Sequence, residues 1–192
     1  ADLFKLGISK DTIAVLTSDF SVDIEFQDIN NFKGELDVSD ITFSEKNNFF
    51  FFDSIAIHSV YANERHLLNL NSQLLDMSLE GQFDIADVIP SLNQISGNYF
   101  KFYSPELEKE LSPLDFDYTI SLKNTDLLTL LFVEDLEVES GTELKGYLRM
   151  PSEQFQLELT SPEIKYAESK FDQLSLILKN DLDSTFKVLC KI

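Results

Sequence analysis

The sequence has no tryptophan, one cysteine, two histidines and few basic residues. A single thiol, Cys190, excludes an internal disulfide and reads as a small hydrophobe of the interior. Lys and Arg number 15 against 34 Asp and Glu, a net charge of −19. Nucleic acid and anionic membrane surfaces are both gripped through Lys/Arg patches, so this charge argues against either as a partner. No apolar run approaches ~18 residues, the least a membrane-spanning helix needs. No secretory signal pattern opens the chain, which starts ADLFKL; it reads as soluble as given, with any targeting segment outside it. A Gly-rich phosphate loop is missing, and no Ser/His/Asp arrangement stands out from chance. His58 and His66 have no Cys or His at ligand spacing. Acidic side chains are plentiful but interleave with apolar ones, the pattern of a solvated outer face and not of paired catalytic carboxylates. The sequence therefore predicts no enzyme, no metal and no cofactor.

What it has is alternation. In Leu67–Asp84 (LLNLNSQLLDMSLEGQFD), Leu68, Leu70, Ser72 and Leu74 share one parity. Past Leu75-Asp76 the phase flips, and Met77, Leu79, Gly81 and Phe83 continue. Successive strand side chains point to opposite faces, so each half has one apolar and one wet face. One extra residue would keep the apolar set on the same side, so the stretch reads as a long strand bent by a bulge at Leu75-Asp76. A hairpin there would lack the Gly or Asn that two-residue turns favour.

The rest of the chain repeats this grammar. Strands are predicted over Phe20–Ile29, Lys33–Ser44, Phe49–Tyr61 and Leu114–Lys123, after a mixed opening segment at 1–19. Further strands follow around Leu136 and Val138, Leu144 to Met150, Phe155 to Tyr166 with a phase shift at Ser161-Pro162, Leu174 to Leu178, and Phe186 to Val188. Turns are placed at Asn63-Glu64-Arg65 and Ser140-Gly141. Between the two groups of strands, Ile85, Val88, Ile89, Leu92, Ile95 and Tyr99 follow a helical period, predicting an amphipathic helix near 86–100 with Pro90 in its first turn. A charged connector, 101–113, completes this insertion, which spans 85–113, and a short helical turn is expected at Asp126–Phe132. An internal repeat is visible. Leu36-x-Val38, Ile41-x-Phe43 and FDSIAI at 52–57 match Leu157-x-Leu159, Ile164-x-Tyr166 and FDQLSL at 171–176. No linker separates the copies, so 1–192 reads as a single continuous segment of a larger, repetitive β protein.

About ten strands with apolar inner faces and only two helical pieces leave too little to form a second layer. Recurrent bulges would curl such a sheet into an open trough lined by Leu, Ile, Val and Phe. A β-sandwich that buries the same faces against each other is the alternative that periodicity leaves open.

The run LNLNSQLLDMSLEGQFDIADVIPSLNQISGNYF resembles the Bacteroidetes-type TamB family of the AsmA-like superfamily. The resemblance lies in the order Leu68 to Leu70, Ser72 to Asp76, Gly81 to Asp84, then the helix to Tyr99-Phe100. DFDYTISLKNTDLLTLLF, SGTELKGYLRM and FQLELTSPEIKYAESKFDQLSL extend it over nearly the whole chain. The resemblance implies an elongated, curled antiparallel sheet, a β-taco or open half-pipe with a hydrophobic groove. It implies the periplasmic part of an inner-membrane-anchored cell-envelope protein of a Gram-negative bacterium, carrying phospholipid toward the outer membrane. An Omp85-type outer-membrane protein is implied as a partner through parts of the protein outside this chain.

On this reading phospholipid acyl chains are the ligand. The lining is expected at Ile24, Phe26, Leu36, Val38, Ile55, Ile57, Leu68, Leu70, Leu79, Phe83, Ile120, Leu148, Leu157, Leu159, Leu174 and Leu176. A platform for outer-membrane protein translocation and assembly, taking unfolded strands along exposed edges, is the second reading. An inert sandwich from a surface protein is the third.

Overall fold

The computed structural model describes residues 15–25, 33–45, 48–85, 87–88, 90–91, 113–123, 136–150, 152, 154–180 and 186–191. They form one antiparallel sheet of eleven strands. In chain order these are β1 (Val15–Glu25), β2 (Lys33–Glu45), β3 (Asn48–Ala62), β4 (Arg65–Ser72), β5 (Leu75–Gln82) and β6 (Asp115–Leu122). Then come β7 (Leu136–Val138), β8 (Glu143–Arg149), β9 (Gln154–Tyr166), β10 (Ser169–Asn180) and β11 (Phe186–Lys191). Spatial order follows the sequence from β1 to β11, except that β7 lies against β9 beyond the end of β8.

Turn chemistry explains the meander. Asn63 (φ 53°) and Glu64 (φ 61°) both occupy the left-handed region, the backbone of a tight hairpin turn whose twist suits the strands it joins. Gly141 (φ 83°) makes the turn between β7 and β8, closed by Thr142 N–H donating to the Glu139 carbonyl at 3.3 Å. At 167 it is Ala167 (φ 51°) that takes the left-handed position between β9 and β10.

Three expectations are corrected. The first concerns 67–84, which is a hairpin and not a bent strand: β4 and β5 pair from His66↔Gly81 to Asn71↔Asp76 across Gln73-Leu74. Ser72 supplies what Gly or Asn would have. Its Oγ accepts from Leu74 N–H at 3.2 Å and Leu75 N–H at 3.0 Å and donates to the Leu75 carbonyl at 2.8 Å.

The second concerns curvature. The sheet is neither closed nor strongly curled, so the half-pipe is not formed by these residues. The phase flips are real: Val38 and Ile55 are followed three residues on by Ile41 and Phe52, while the Asp40–Asp53 pair is skipped. Ser161↔Leu174 and Ile164↔Phe171 repeat the device across Pro162–Gln173, the second copy of the internal repeat. Asp40 (φ 50°) and Gln173 (φ 53°) absorb the kinks. Both partner strands flip together, so register is conserved across each break and neither strand gains length over its neighbour. Only β2 against β1, around Thr17/Asp19, carries a net shift. Curl needs an excess on one strand, and here the excess cancels.

The third is Cys190, which is exposed and not interior, because β11 has a strand on one side only among the described residues. The first strand also begins earlier than predicted, at Val15, and 26–32 lie outside the described residues. No helical element stands among the described residues. Ile85, Asp87, Val88, Pro90 and Ser91 carry helical backbone, and the remainder of 86–100, like 101–112 and 126–132, lies outside them.

Candidate functional site: an apolar face closed at one end

Register, not parity alone, decides which side chains share a face. Residues paired across an antiparallel ladder lie side by side. Following the pairs across the sheet gives Val22, Leu36, Ile57, Leu70, Met77, Ile120, Leu144, Leu159, Leu176 and Cys190, one unbroken apolar row over ten strands. Nine strand spacings of ~4.8 Å make it roughly 43 Å long. The next row on the other face reads Asp23, Glu35, His58, Asn69, Ser78, Thr119, Lys145 and Glu158, almost entirely polar. On β10 and β11 the same row continues as Ile177 and Leu189, so the sheet separates greasy from wet from β1 to β9.

Of the predicted lining residues, Leu36, Ile57, Leu70, Ile120, Leu159 and Leu176 stand in that central row. Ile24, Leu68, Leu79 and Leu157 belong to the row beside it, and Val38, Ile55 and Leu174 to the row on the other side. Leu148 and Phe83 lie at the closed end. Phe26 is outside the described residues. Met77, Leu144, Val22 and Tyr118 were missed. All four were legible from parity: Val22 shares it with Ile24, Met77 with Leu79, Tyr118 with Ile120 and Leu144 with Leu148.

The face is unequal along the strands. At one end Leu68, Phe83, Leu114, Phe116 and Leu148 form a buried cluster, with Ile85, Val88, Met150 and Phe155 packed on it. Ile85 and Val88 thus roof this end. A chain of rings, Tyr61–His66–Phe83–Phe116–Tyr118, crosses four strands here with centroids 4.5, 5.2, 5.2 and 6.4 Å apart, within the range of favourable ring contact. The middle of the face is only partly buried, and Val22 and Val188 at its two margins are 56% and 54% exposed.

Two details fix the face's geometry. Gly146 stands between Tyr118 and Leu157 in its row, and the Tyr118 ring crosses the space so that its hydroxyl donates to the Gln156 carbonyl at 3.1 Å. A Cβ at 146 would overlap that carbonyl and approach the Tyr118 oxygen to 2.9 Å. Burial pushes the Tyr118 phenol up to about 12, since an ionised ring would lose solvation there. On the polar face, Arg149 clamps β6 to β8. It pairs with Asp115 at 2.8 Å and Asp117 at 2.9 Å, donates to the Phe116 carbonyl at 2.6 Å, and stacks on Tyr147 at 4.9 Å.

His66 was not singled out by the sequence, although it shares parity with Leu68 and Leu70. It is 3% exposed, and its Nδ1 lies 3.1 Å from the Phe83 carbonyl. A carbonyl only accepts, so Nδ1 carries the hydrogen. His58 is exposed on the polar face, 3.2 Å from Glu35. Among the described residues no group of three His, Cys, Asp or Glu could hold a metal, and no helix is long and apolar enough to cross a membrane. No protein family, curated protein or solved structure matches this chain.

Proposed function

We propose that the apolar face shields phospholipid acyl chains, and that this chain is one stretch of a TamB-like bridge carrying them through the periplasm from inner to outer membrane. The observation that carries the reading is the unbroken ten-strand apolar row, backed by a polar row over eight of those strands. No bond is made or broken in such a task; protein surface replaces membrane interior as solvent. Each CH₂ withdrawn from water is worth about 0.8 kcal/mol. A face that touches an acyl chain on one side recovers roughly half of that, about 0.4 kcal/mol per CH₂. An open sheet therefore lowers the cost of transit without removing it. In this proposal a second surface, from a neighbouring stretch of wall, completes the groove that the resemblance implies. Because the row repeats similar side chains at each strand, neighbouring positions are nearly equivalent and barriers between them are small.

A second reading, an assembly platform, draws on β11. Its outer backbone has no strand partner among the described residues, and such an edge can take up an extended peptide.

The test is a photo-crosslinking residue at Leu70, in the apolar row, and separately at Asn69, in the polar row, of the full-length protein in cells. Phospholipid captured at Leu70 and not at Asn69 is the expected result. Polypeptide captured in its place transfers support to the platform. No capture at either position means Leu70 is packed core, and the conduit reading fails.

A further inference from the structure

The two edges of the sheet are complementary to each other. β1 and β11 each have a strand on one side only among the described residues. The path from one to the other counts ten strands, every neighbouring pair antiparallel, so β1 and β11 run in opposite directions. A second copy set beside the first, with its apolar face on the same side, therefore meets β11 with an antiparallel β1. The side chains match as well. Val22 and Val188, on the apolar face, are 56% and 54% exposed, since each stands at a margin of the sheet. On the opposite face β1 carries Asp19 and Asp23, and β11 carries Lys187 and Lys191. Partners in an antiparallel ladder step in opposite directions, so setting Val188 opposite Val22 places Lys187 opposite Asp23 and Lys191 opposite Asp19. One register thus covers both valines and pairs both lysines. Neither aspartate has an ion-pair partner among the described residues; Lys187 also interacts within its own chain, and the three donors of an ammonium can serve both. Self-pairing of either edge is opposed by charge. β11 against β11, centred on Leu189, sets Lys187 against Lys191, and β1 against β1, centred on Ser21, sets Asp19 against Asp23. Edges kept single usually carry a proline or a charge that points inward. Neither strand contains proline, and these four charges lie on the face away from the apolar row.

We propose that copies of this chain join edge to edge, β11 of one against β1 of the next, with Val188 beside Val22, Lys187 beside Asp23 and Lys191 beside Asp19. The join is heterologous, head to tail, so it adds copies one after another instead of stopping at a twofold dimer. The sheet is not closed, which leaves the two edges to pair between chains and not within one. The apolar face then runs on from copy to copy. That holds whatever the face shields, so the inference does not rest on the lipid-shielding reading.

The test is sedimentation velocity of the 192-residue chain over a range of concentrations. Physiological ionic strength screens the repulsion between net-negative copies beyond ~8 Å. Mass that rises past the dimer with concentration is expected. Asp19→Lys with Asp23→Lys should weaken association about tenfold, by turning two opposite-charge pairs into like-charge ones. Lys187→Glu with Lys191→Glu should do the same, and all four changes together should restore it. All four side chains are exposed, and circular dichroism checks that each variant folds. Val22→Cys with Val188→Cys, on a Cys190→Ser background, should oxidise to a ladder of linked copies, far more readily than either cysteine alone. A chain that stays monomeric, a disulfide that closes within one chain, equal linking by Val188→Cys alone, or no rescue by the fourfold exchange would overturn the proposal. So would a monomer whose β11 takes up an unrelated extended peptide, the result that the assembly-platform reading expects.

Discussion

Truncating two leucines of the same face separates an open sheet from a filled one. Leu148 is 1% exposed and sits between Phe116 and Phe155 in register, within the closed-end cluster. Leu148→Ala removes the equivalent of three CH₂ groups, about 2.4 kcal/mol of transfer free energy, and leaves a cavity that the rigid rings around it cannot fill. Together these predict a loss of about 3–4 kcal/mol. Leu159, in the middle of the central row, is only partly buried. Its truncation loses part of the same transfer energy with no enclosed cavity, about 1–2 kcal/mol. Urea unfolding followed by circular dichroism measures both, and m should stay unchanged because the surface exposed on unfolding is nearly the same. Equal losses would refute the reasoning. They would mean that a second layer buries the central row as fully as the end, leaving no room for an acyl chain.

Gly146→Ala puts a methyl where the Gln156 carbonyl and the Tyr118 hydroxyl already lie, so β8 and β9 must separate locally; a loss of about 1–3 kcal/mol is expected in the same urea assay, and a neutral result would show that the Tyr118 ring does not cross this glycine. The Tyr118 phenol, held up to about 12, should ionise late in a spectrophotometric titration. The folded chain then keeps a proton that the unfolded chain releases near the ordinary value, so stability is full below about pH 10 and falls as pH rises toward 12. A folded Tyr118 midpoint near 10, assigned by comparison with Tyr118→Phe, would contradict this. On the outer face, hydrogen bonds from Lys170 and then Lys165 hold the Glu163 carboxyl down to about 2. Its contribution is present above the usual 4.5 and lost as pH falls toward 2, and Glu163→Gln should remove that dependence. Carboxyl-carbon NMR reads the midpoint directly, and a value near 4.5 would show the cluster to be loose in solution.

Local pattern determined most strands. Alternation at Val22–Ile24, Leu36–Val38, Ile55–Ile57 and Ile120–Leu122 follows from the two-residue period of an extended chain, which does not depend on distant contacts. Asn63-Glu64 and Ser140-Gly141 were readable as turns because Asn and Gly favour the left-handed backbone that such turns require. The Gln73-Leu74 hairpin was not readable. Its support is a set of three hydrogen bonds through one hydroxyl, and Ser72 alone does not announce them. Curvature was misjudged for a related reason. A phase flip in one strand predicts bending, but whether the sheet bends depends on the neighbour, and Asp53 and Pro162 break opposite Asp40 and Gln173. The chain of rings through His66 and the ten-strand row belong wholly to the tertiary structure. Parity assigns a residue to one of two faces within its own strand, but only the ladder says which strands' faces coincide. Register is fixed by pairing between segments as far apart in sequence as those that set Ile120 beside Leu144, and no local pattern carries that information.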